Sequence, residues 1–281
     1  MNGTGAGNDV GTGFLADMIE RRKRRLVQEF GDLTPADRER LACCSRPPRD
    51  FLAALQSRPD VAVIAEVKKA SPSAGPIAPD IEASKQALVY EAGGASCISV
   101  LTEPESFGGS WSDLSDVADA VGVPVLCKDF VVDPLQLFVA RGHGADAVLL
   151  MVSILGENVT EYLHLAQTLG LTALVEVHDG AELYEALVAG ARLVGVNSRD
   201  LRTLAVDRQF SLEIVQMAHA AEMTVVSESG VKTRDDVLEA AARGADAVLV
   251  GETLMRAPFP EDVLQELTGV GKGGMRHVRT D

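Results

Sequence analysis

Eight short runs of mostly β-branched and aliphatic residues recur along the chain, each followed by a polar or glycine-containing turn and then by a stretch with helical spacing. They are VAVIAEV from Val61, SCISVLT from Ser96, VPVLCKDF from Val123, DAVLLMV from Asp146, TALVEV from Thr172, LVGVNS from Leu193, TVVSESG from Thr224 and DAVLVG from Asp246. Near-continuous apolar strands alternating with helices describe a parallel sheet covered by helices, because parallel neighbours need a crossover rather than a hairpin. Eight such units in roughly 190 residues predict an α/β chain folded as a closed (β/α)8 TIM barrel with an N-terminal helical extension. An open doubly wound sheet is the rival architecture.

An internal echo favours closure. GADAVLL at Gly144 returns as GADAVLV at Gly244, and a looser GGASCISV opens at Gly93. In each, glycine follows a helix where a left-handed cap is needed, and the strand begins two or three residues later. Before the first strand, GFLADMIERRKRRLVQEF, TPADRERLACC and PRDFLAAL carry helical signals. Leu15, Met18, Ile19 and Leu26 share one face of the first helix, and the cluster Arg21 to Arg25 reads as a solvated face of a helix packed on the barrel. A sharper reading lays that helix over the barrel mouth. The expected boundaries are a flexible tail over 1–12, the extension over 13–60, the barrel over 61–268 and a second tail over 269–281. The glycine-rich ends lack GxxxxGK[ST] spacing and read as tails rather than phosphate loops.

A composition of 46% hydrophobic and 24% charged residues over 281 positions is that of a globular chain. No apolar run approaches the ~20 residues of a membrane helix, and MNGTGAGNDVGTG lacks the blocks of a signal peptide, so the expectation is a cytoplasmic protein. Cys43, Cys44, Cys97 and Cys127 show no CxxC spacing, which argues against a metal site or a disulfide framework. A formal net charge of -15 disfavours nucleic-acid binding. For a small anionic substrate, local Lys, Arg and helix N-termini must reverse that field.

Chemistry in such a barrel belongs at the C-terminal strand ends. The first run ends in Glu66 and Lys68, which share a strand face because side chains alternate; the third ends in Lys128, the fifth in Glu176, the sixth in Asn197 and Arg199, and the seventh in Ser227, Glu228, Ser229 and Gly230. The same alternation turns Ser198 away from the axis if Asn197 faces it. SESGV and GETLM then offer Ser229, Gly230, Gly251 and the amide of Glu252 just before helices, a backbone cradle for phosphate in which the Glu252 carboxylate must turn outward.

In order and spacing, IAEVKKASPS, SVLTEPESFGGS, VLCKDF, LVEVH, GVNSRDL, SESGV and GADAVLVGETLM, between about Phe51 and Met255, resemble the indole-3-glycerol phosphate synthase family of tryptophan biosynthesis. The resemblance implies a cofactor-free ring closure of 1-(2-carboxyphenylamino)-1-deoxyribulose 5-phosphate, with loss of carbon dioxide and water. It implies Lys128 as general acid, Glu176 as base in the dehydration, and Lys68, paired with Glu66, as the group that orients and polarises the closing ring. Glu66, Asn197 and Glu228 match positions that bind sugar hydroxyls or support catalysis. Ser71 and Arg199 match positions near the anthranilate carboxylate, and Phe107 and Phe130 match positions flanking the aromatic ring. Two departures from the common pattern are SPSAG for SPSKG and GVNSRDL for GVNNRDL. Association with other tryptophan-pathway enzymes is a further implication. The alternatives are a phosphoribosylanthranilate isomerase-like enzyme, whose chemistry wants a Cys and Asp pair at strand ends, and a silent barrel acting as a binding partner.

Overall fold

The computed structural model describes residues 10–43, 45–199 and 206–273. The strands in chain order are β1 (Ala62–Val67), β2 (Ala70–Ser71), β3 (Gly75–Pro76), β4 (Cys97–Leu101), β5 (Val125–Lys128), β6 (Ala147–Met151), β7 (Thr172–Val177), β8 (Leu193–Asn197), β9 (Thr224–Glu228) and β10 (Ala247–Val250). All eight apolar runs form strands, paired in parallel in the order β1-β10-β9-β8-β7-β6-β5-β4. Because β1 also pairs with β4, through Ile64↔Cys97 to Val67↔Val100, the sheet closes and the open doubly wound alternative is excluded. The antiparallel ribbon of β2 and β3, which carries Ser71, rises directly from the end of β1.

Alternation along the strands divides the core in two. Ala62, Ile64, Cys97, Leu126, Ala147, Leu149, Leu174, Leu193, Val226, Ala247 and Leu249 fill the barrel, while Val63, Ala65, Ile98, Val148, Val175, Val194, Val225 and Val248 face the surrounding helices. The repeated Gly-Ala-Asp device has a physical basis. Gly144 and Gly244 take φ of 84° and 95°, left-handed conformations that only glycine adopts without strain. In the third copy the left-handed residue is Gly94, at φ 99°, one position later than the motif's first glycine. Asp146 and Asp246 then accept the backbone N–H groups of Val125 and Val225 at 2.8 and 3.0 Å, pinning the start of each strand to its predecessor.

The extension closes both ends of the barrel. Helix α3 (Phe51–Gln56) buries Phe51 and Leu55 among the strand starts, and Gln56 donates to the Thr224 hydroxyl at 2.8 Å. Helix α1 (Val10–Phe30) lies at the opposite rim, with Met18 packed into the interior cluster beside Phe130 and Met151. Its basic run is not a uniformly solvated face. Arg21, Lys23 and Arg25 form exposed ion pairs, but Arg22 is 2% exposed and grips Asp129 through Nε and Nη2 at 2.9 and 2.6 Å. Between these two helices, α2 (Pro35–Cys43) packs on helix Leu135–Gly142.

Two expected boundaries shift. Helix α1 begins at Val10 rather than at residue 13. The second tail does not start at 269: buried Val270 accepts the Val61 N–H at 2.7 Å, and Lys272 Nζ donates to the Leu55 carbonyl at 2.8 Å, so this segment is part of the barrel floor. The rest of both expected tails, 1–9 and 274–281, lies outside the described residues, as does Cys44; Cys43, Cys97 and Cys127 are free thiols. Among the described residues, no helix is long and apolar enough to cross a membrane.

Candidate active site

Glu66, Lys128, Glu176 and Glu228 each stand two residues beyond an interior apolar residue of the same strand, namely Ile64, Leu126, Leu174 and Val226. The four strands, β1, β5, β7 and β9, alternate around the barrel, so the four polar side chains make one layer resting on a complete apolar layer. Inward-facing glycines leave room for it. A Cβ at Gly195 would collide with the Glu228 carboxylate, and one at Gly251 with Glu66 and Lys68. Gly251 therefore makes space for the Glu66–Lys68 pair, beyond the phosphate contact expected of it.

Lys128 is the hub. Its ammonium lies 3.2 Å from Glu176 Oε2 and 3.3 Å from Glu228 Oε2. Burial alone would lower its pKa, but the carboxylates of Glu228, Glu176 and Glu66 overrule that and raise it far above the ordinary lysine value, so Lys128 stays charged. The pair anticipated at the end of β1 is present, with Lys68 Nζ 2.8 Å from Glu66 Oε1.

The two glutamates that share Lys128 are driven apart. Burial raises both, yet Glu176 is held below the carboxylate norm by Lys128, by His178 and by Asn197 Nδ2, which donates to Oε1 at 3.1 Å. Glu228 has Lys128 as its one close cation among the described residues, its Oε1 makes no hydrogen bond, and Glu176 and Glu66 repel its charge; its pKa is pushed up to about 7. One carboxylate is thus a resident anion and the other a proton carrier near neutrality. Stability follows with a definite sign. Between the ordinary value of 4.5 and about 7 the folded chain holds a proton that the unfolded chain has released, so stability falls as pH rises through that window. Glu228→Gln should stabilise the fold by up to about 3 kcal/mol at pH 8, with the gain fading towards pH 5. Urea denaturation at the two pH values measures this, and equal effects at both would contradict the shift.

A hydrogen-bonded chain supports Asn197. Its Oδ1 accepts the Ser229 hydroxyl at 2.8 Å and the Arg199 N–H at 3.0 Å, which fixes the amide with its NH2 towards Glu176. Ser229 reaches it from a left-handed conformation, φ 65°, followed by Gly230 at 79°. Ser198 does not line the cavity; it is buried rather than solvent-facing, with its hydroxyl 2.9 Å from the carbonyl oxygens of Glu228 and Ser229.

Above the charged layer opens a cavity of about 720 Å³. The layer forms its floor. Phe107 and Phe130 stand on one wall with ring centroids 6.0 Å apart, and Ser71 and Arg199 also line it. Ser229, Gly230, Gly251 and Glu252 line the same cavity; the Glu252 carboxylate is turned to Arg256 Nε at 2.9 Å. Fourteen of the fifteen residues selected from the sequence therefore meet at one cavity; Ser227, one residue short of Glu228 on β9, does not line it.

Several contributors were not selected. His178 sits with Nε2 3.4 Å from Glu176 Oε1. Glu103 caps the short helix Pro104–Phe107, accepting three of its N–H groups and so placing Phe107. Asp129, between Lys128 and Phe130, accepts from Arg22 and from the Thr102 hydroxyl. His178 and Glu103 lay within the motif blocks at strand ends, where a residue just past the last apolar position was a usable signal. The Arg22 contact is 107 residues from its partner and carried none.

The profile of the family described as indole-3-glycerol phosphate synthase matches residues 15–267. Indole-3-glycerol phosphate synthase 1 of Streptomyces coelicolor is 44% identical over 275 residues, covering 97% of this chain and 98% of the relative. The Mycobacterium ulcerans protein named indole-3-glycerol phosphate synthase is 48% identical over 231 residues, covering 82% and 84%. Among solved structures, thiamine phosphate pyrophosphorylase from Pyrococcus furiosus superposes with a TM-score of 0.55 at 20% identity, over 74% of this chain and 93% of that one, a likeness of fold alone. With a family profile matched over residues 15–267 and a relative 44% identical along 97% of the chain, the protein belongs to the indole-3-glycerol phosphate synthase family.

Proposed function

We propose that the chain is a carbon-carbon lyase that closes 1-(2-carboxyphenylamino)-1-deoxyribulose 5-phosphate to indole-3-glycerol phosphate, with release of carbon dioxide and water. The observation that carries this reading is the charged layer: an ammonium kept charged in the resting site between two glutamates of different proton affinity, on the floor of a cavity with an aromatic wall. The carboxyphenyl ring lies against Phe107 and Phe130, its carboxylate towards Ser71 and Arg199. The ring carbon bearing the carboxylate attacks the sugar ketone, and the developing alkoxide takes its proton from Lys128. Cleavage of the carbon-carboxylate bond returns the electron pair to the ring and releases carbon dioxide. The hydroxyl then takes a proton from the Lys68 ammonium and leaves as water while Glu176 removes the proton of the adjacent carbon, completing the indole. Lys68, held by Glu66, orients the closing ring, and Asn197 and Glu228 hold the sugar hydroxyls.

These steps use no cofactor, and the lyase class and a cytoplasmic place for the reaction belong to the same reading. The partner is a small anionic molecule; association with other enzymes of the pathway is part of the proposal only by family resemblance. The test is direct: purified protein mixed with the carboxyphenylamino substrate should develop indole fluorescence, and a persistent absence of product rejects the assignment.

Phosphate is expected at the backbone of Ser229 and Gly230 and the first turn of helix Glu252–Arg256, whose side chain at Glu252 is already drawn aside by Arg256. A structure determined with inorganic phosphate should hold it there. Phosphate elsewhere in the cavity, with Glu252 swung across these amides, would remove this part of the proposal.

A further inference from the structure

No step of that reaction uses His178, yet its ring is held on one edge and faces a carboxylate on the other. Nδ1 lies 3.1 Å from Glu182 Oε2, which also accepts the His178 backbone N–H at 2.8 Å. Glu182 belongs to the first turn of helix Gly180–Val188, itself capped by Asp179. The other edge aims at the site: Nε2 is shielded from solvent and makes no aligned hydrogen bond, at 3.4 Å from Glu176 Oε1.

A neutral ring donating from Nδ1 to Glu182 would turn an Nε2 lone pair towards a carboxylate oxygen, which is repulsive. A ring protonated on both nitrogens faces an anion on each edge. The charged groups acting on Glu176 are Lys128 from β5 and His178, with Asn197 of β8 as a neutral donor; those acting on His178 are Glu182, Glu176 and Glu228. Burial disfavours the imidazolium, but the Glu182 hydrogen bond and the two nearest carboxylates overrule it and raise the pKa of His178 above the ordinary value.

We propose that His178 is a positioning residue: clamped by Glu182, its imidazolium aims Glu176 and keeps that carboxylate anionic until it removes the substrate's proton. The role rests on the proposed reaction and solves a problem within it. Lys128 and Glu176 are 3.2 Å apart, close enough for the lysine's proton to pass to the glutamate instead of to the alkoxide. A second cation at the far oxygen of Glu176 opposes that transfer. It also retains a counter-charge for Glu176 after Lys128 has given up its proton.

The experiment compares the full-length protein with His178→Gln and Glu182→Gln. His178→Gln should lower kcat about tenfold at pH 6.5 with KM changed less than about twofold, and Glu182→Gln should lower it about threefold in the same way. In 15N spectra of histidine-labelled protein, the signal lost in His178→Gln should titrate with a midpoint above 6.5. That midpoint should fall in Glu182→Gln, which retains the ring if the histidine variant fails to fold. Unchanged kcat in His178→Gln, a loss confined to KM, a ring neutral at pH 6, or a midpoint unmoved in Glu182→Gln would each overturn the clamp. Should the wild-type protein form no indole product, the functional reading fails, and the nitrogen titration alone still decides whether His178 is the cation between Glu176 and Glu182.

Discussion

Lys128→Ala is expected to abolish formation of the new carbon-carbon bond, lowering kcat/KM by at least about a thousandfold, or about 4 kcal/mol in transition-state stabilisation. The reason is positional. Lys128 alone stands between the carboxylates of Glu176 and Glu228 on the cavity floor, while Lys68 is held to the β1 side by Glu66. Glu176→Gln should fail at a different point. It keeps the side chain's shape and its contact with Asn197 but removes the base, so single-turnover experiments should show carbon dioxide released and indole fluorescence arriving late. The comparison requires both variants to remain folded and to bind substrate. If Glu176→Gln suppresses carbon dioxide as completely as Lys128→Ala, Glu176 acts before decarboxylation and the assigned order is wrong.

The second large effect concerns Arg22. Both partners of the Arg22–Asp129 pair have side chains 1% exposed, and removing one leaves the other charge buried without compensation. Arg22→Ala should cost about 3–5 kcal/mol by chemical denaturation, far more than an exposed pair on the same helix. Arg25→Ala, which breaks the exposed pair with Glu29, is the control and should cost under about 1 kcal/mol. Arg22→Ala should also lower activity at temperatures where the fold survives, since Asp129 lies between Lys128 and Phe130 and loses its bidentate partner. A loss no larger than that of Arg25→Ala would mean that the buried pair adds little to the hold that Met18 and Leu26 give α1.

What the sequence made legible was local. Strand periodicity placed all eight barrel strands, and the alternation rule placed Glu66 with Lys68 and Asn197 apart from Ser198, because both depend on the two-residue repeat of a strand. What stayed hidden depends on distance in space. Nothing near Arg22 announces Asp129; the basic run around it reads as solvent-facing because its neighbours are. The divergence of Glu176 from Glu228 is likewise invisible in a string of letters. It arises from which carboxylate also meets His178 and Asn197, a matter of barrel order. The floor strap of Val270 and Lys272 was misread for a similar cause: a glycine-rich segment has the composition of a tail, and only its contacts with Val61 and Leu55 make it structural.

The charged layer rests on Ile64, Leu126, Leu174 and Val226, which belong to the apolar cluster inside the barrel. Of the carboxylate-to-amide changes in that layer, Glu228→Gln removes a repelled charge and leaves the apolar layer, the strand pairing and both closing helices in place. In a cell, an allele of this kind that impairs the reaction would accumulate as full-length, protease-resistant protein. It would match wild type in abundance, and it would keep a cavity in which an unreacted substrate could lodge. Growth and protein level would then report different things: core substitutions at Ile64 or Leu174 would lower both together, whereas Glu228→Gln would separate them.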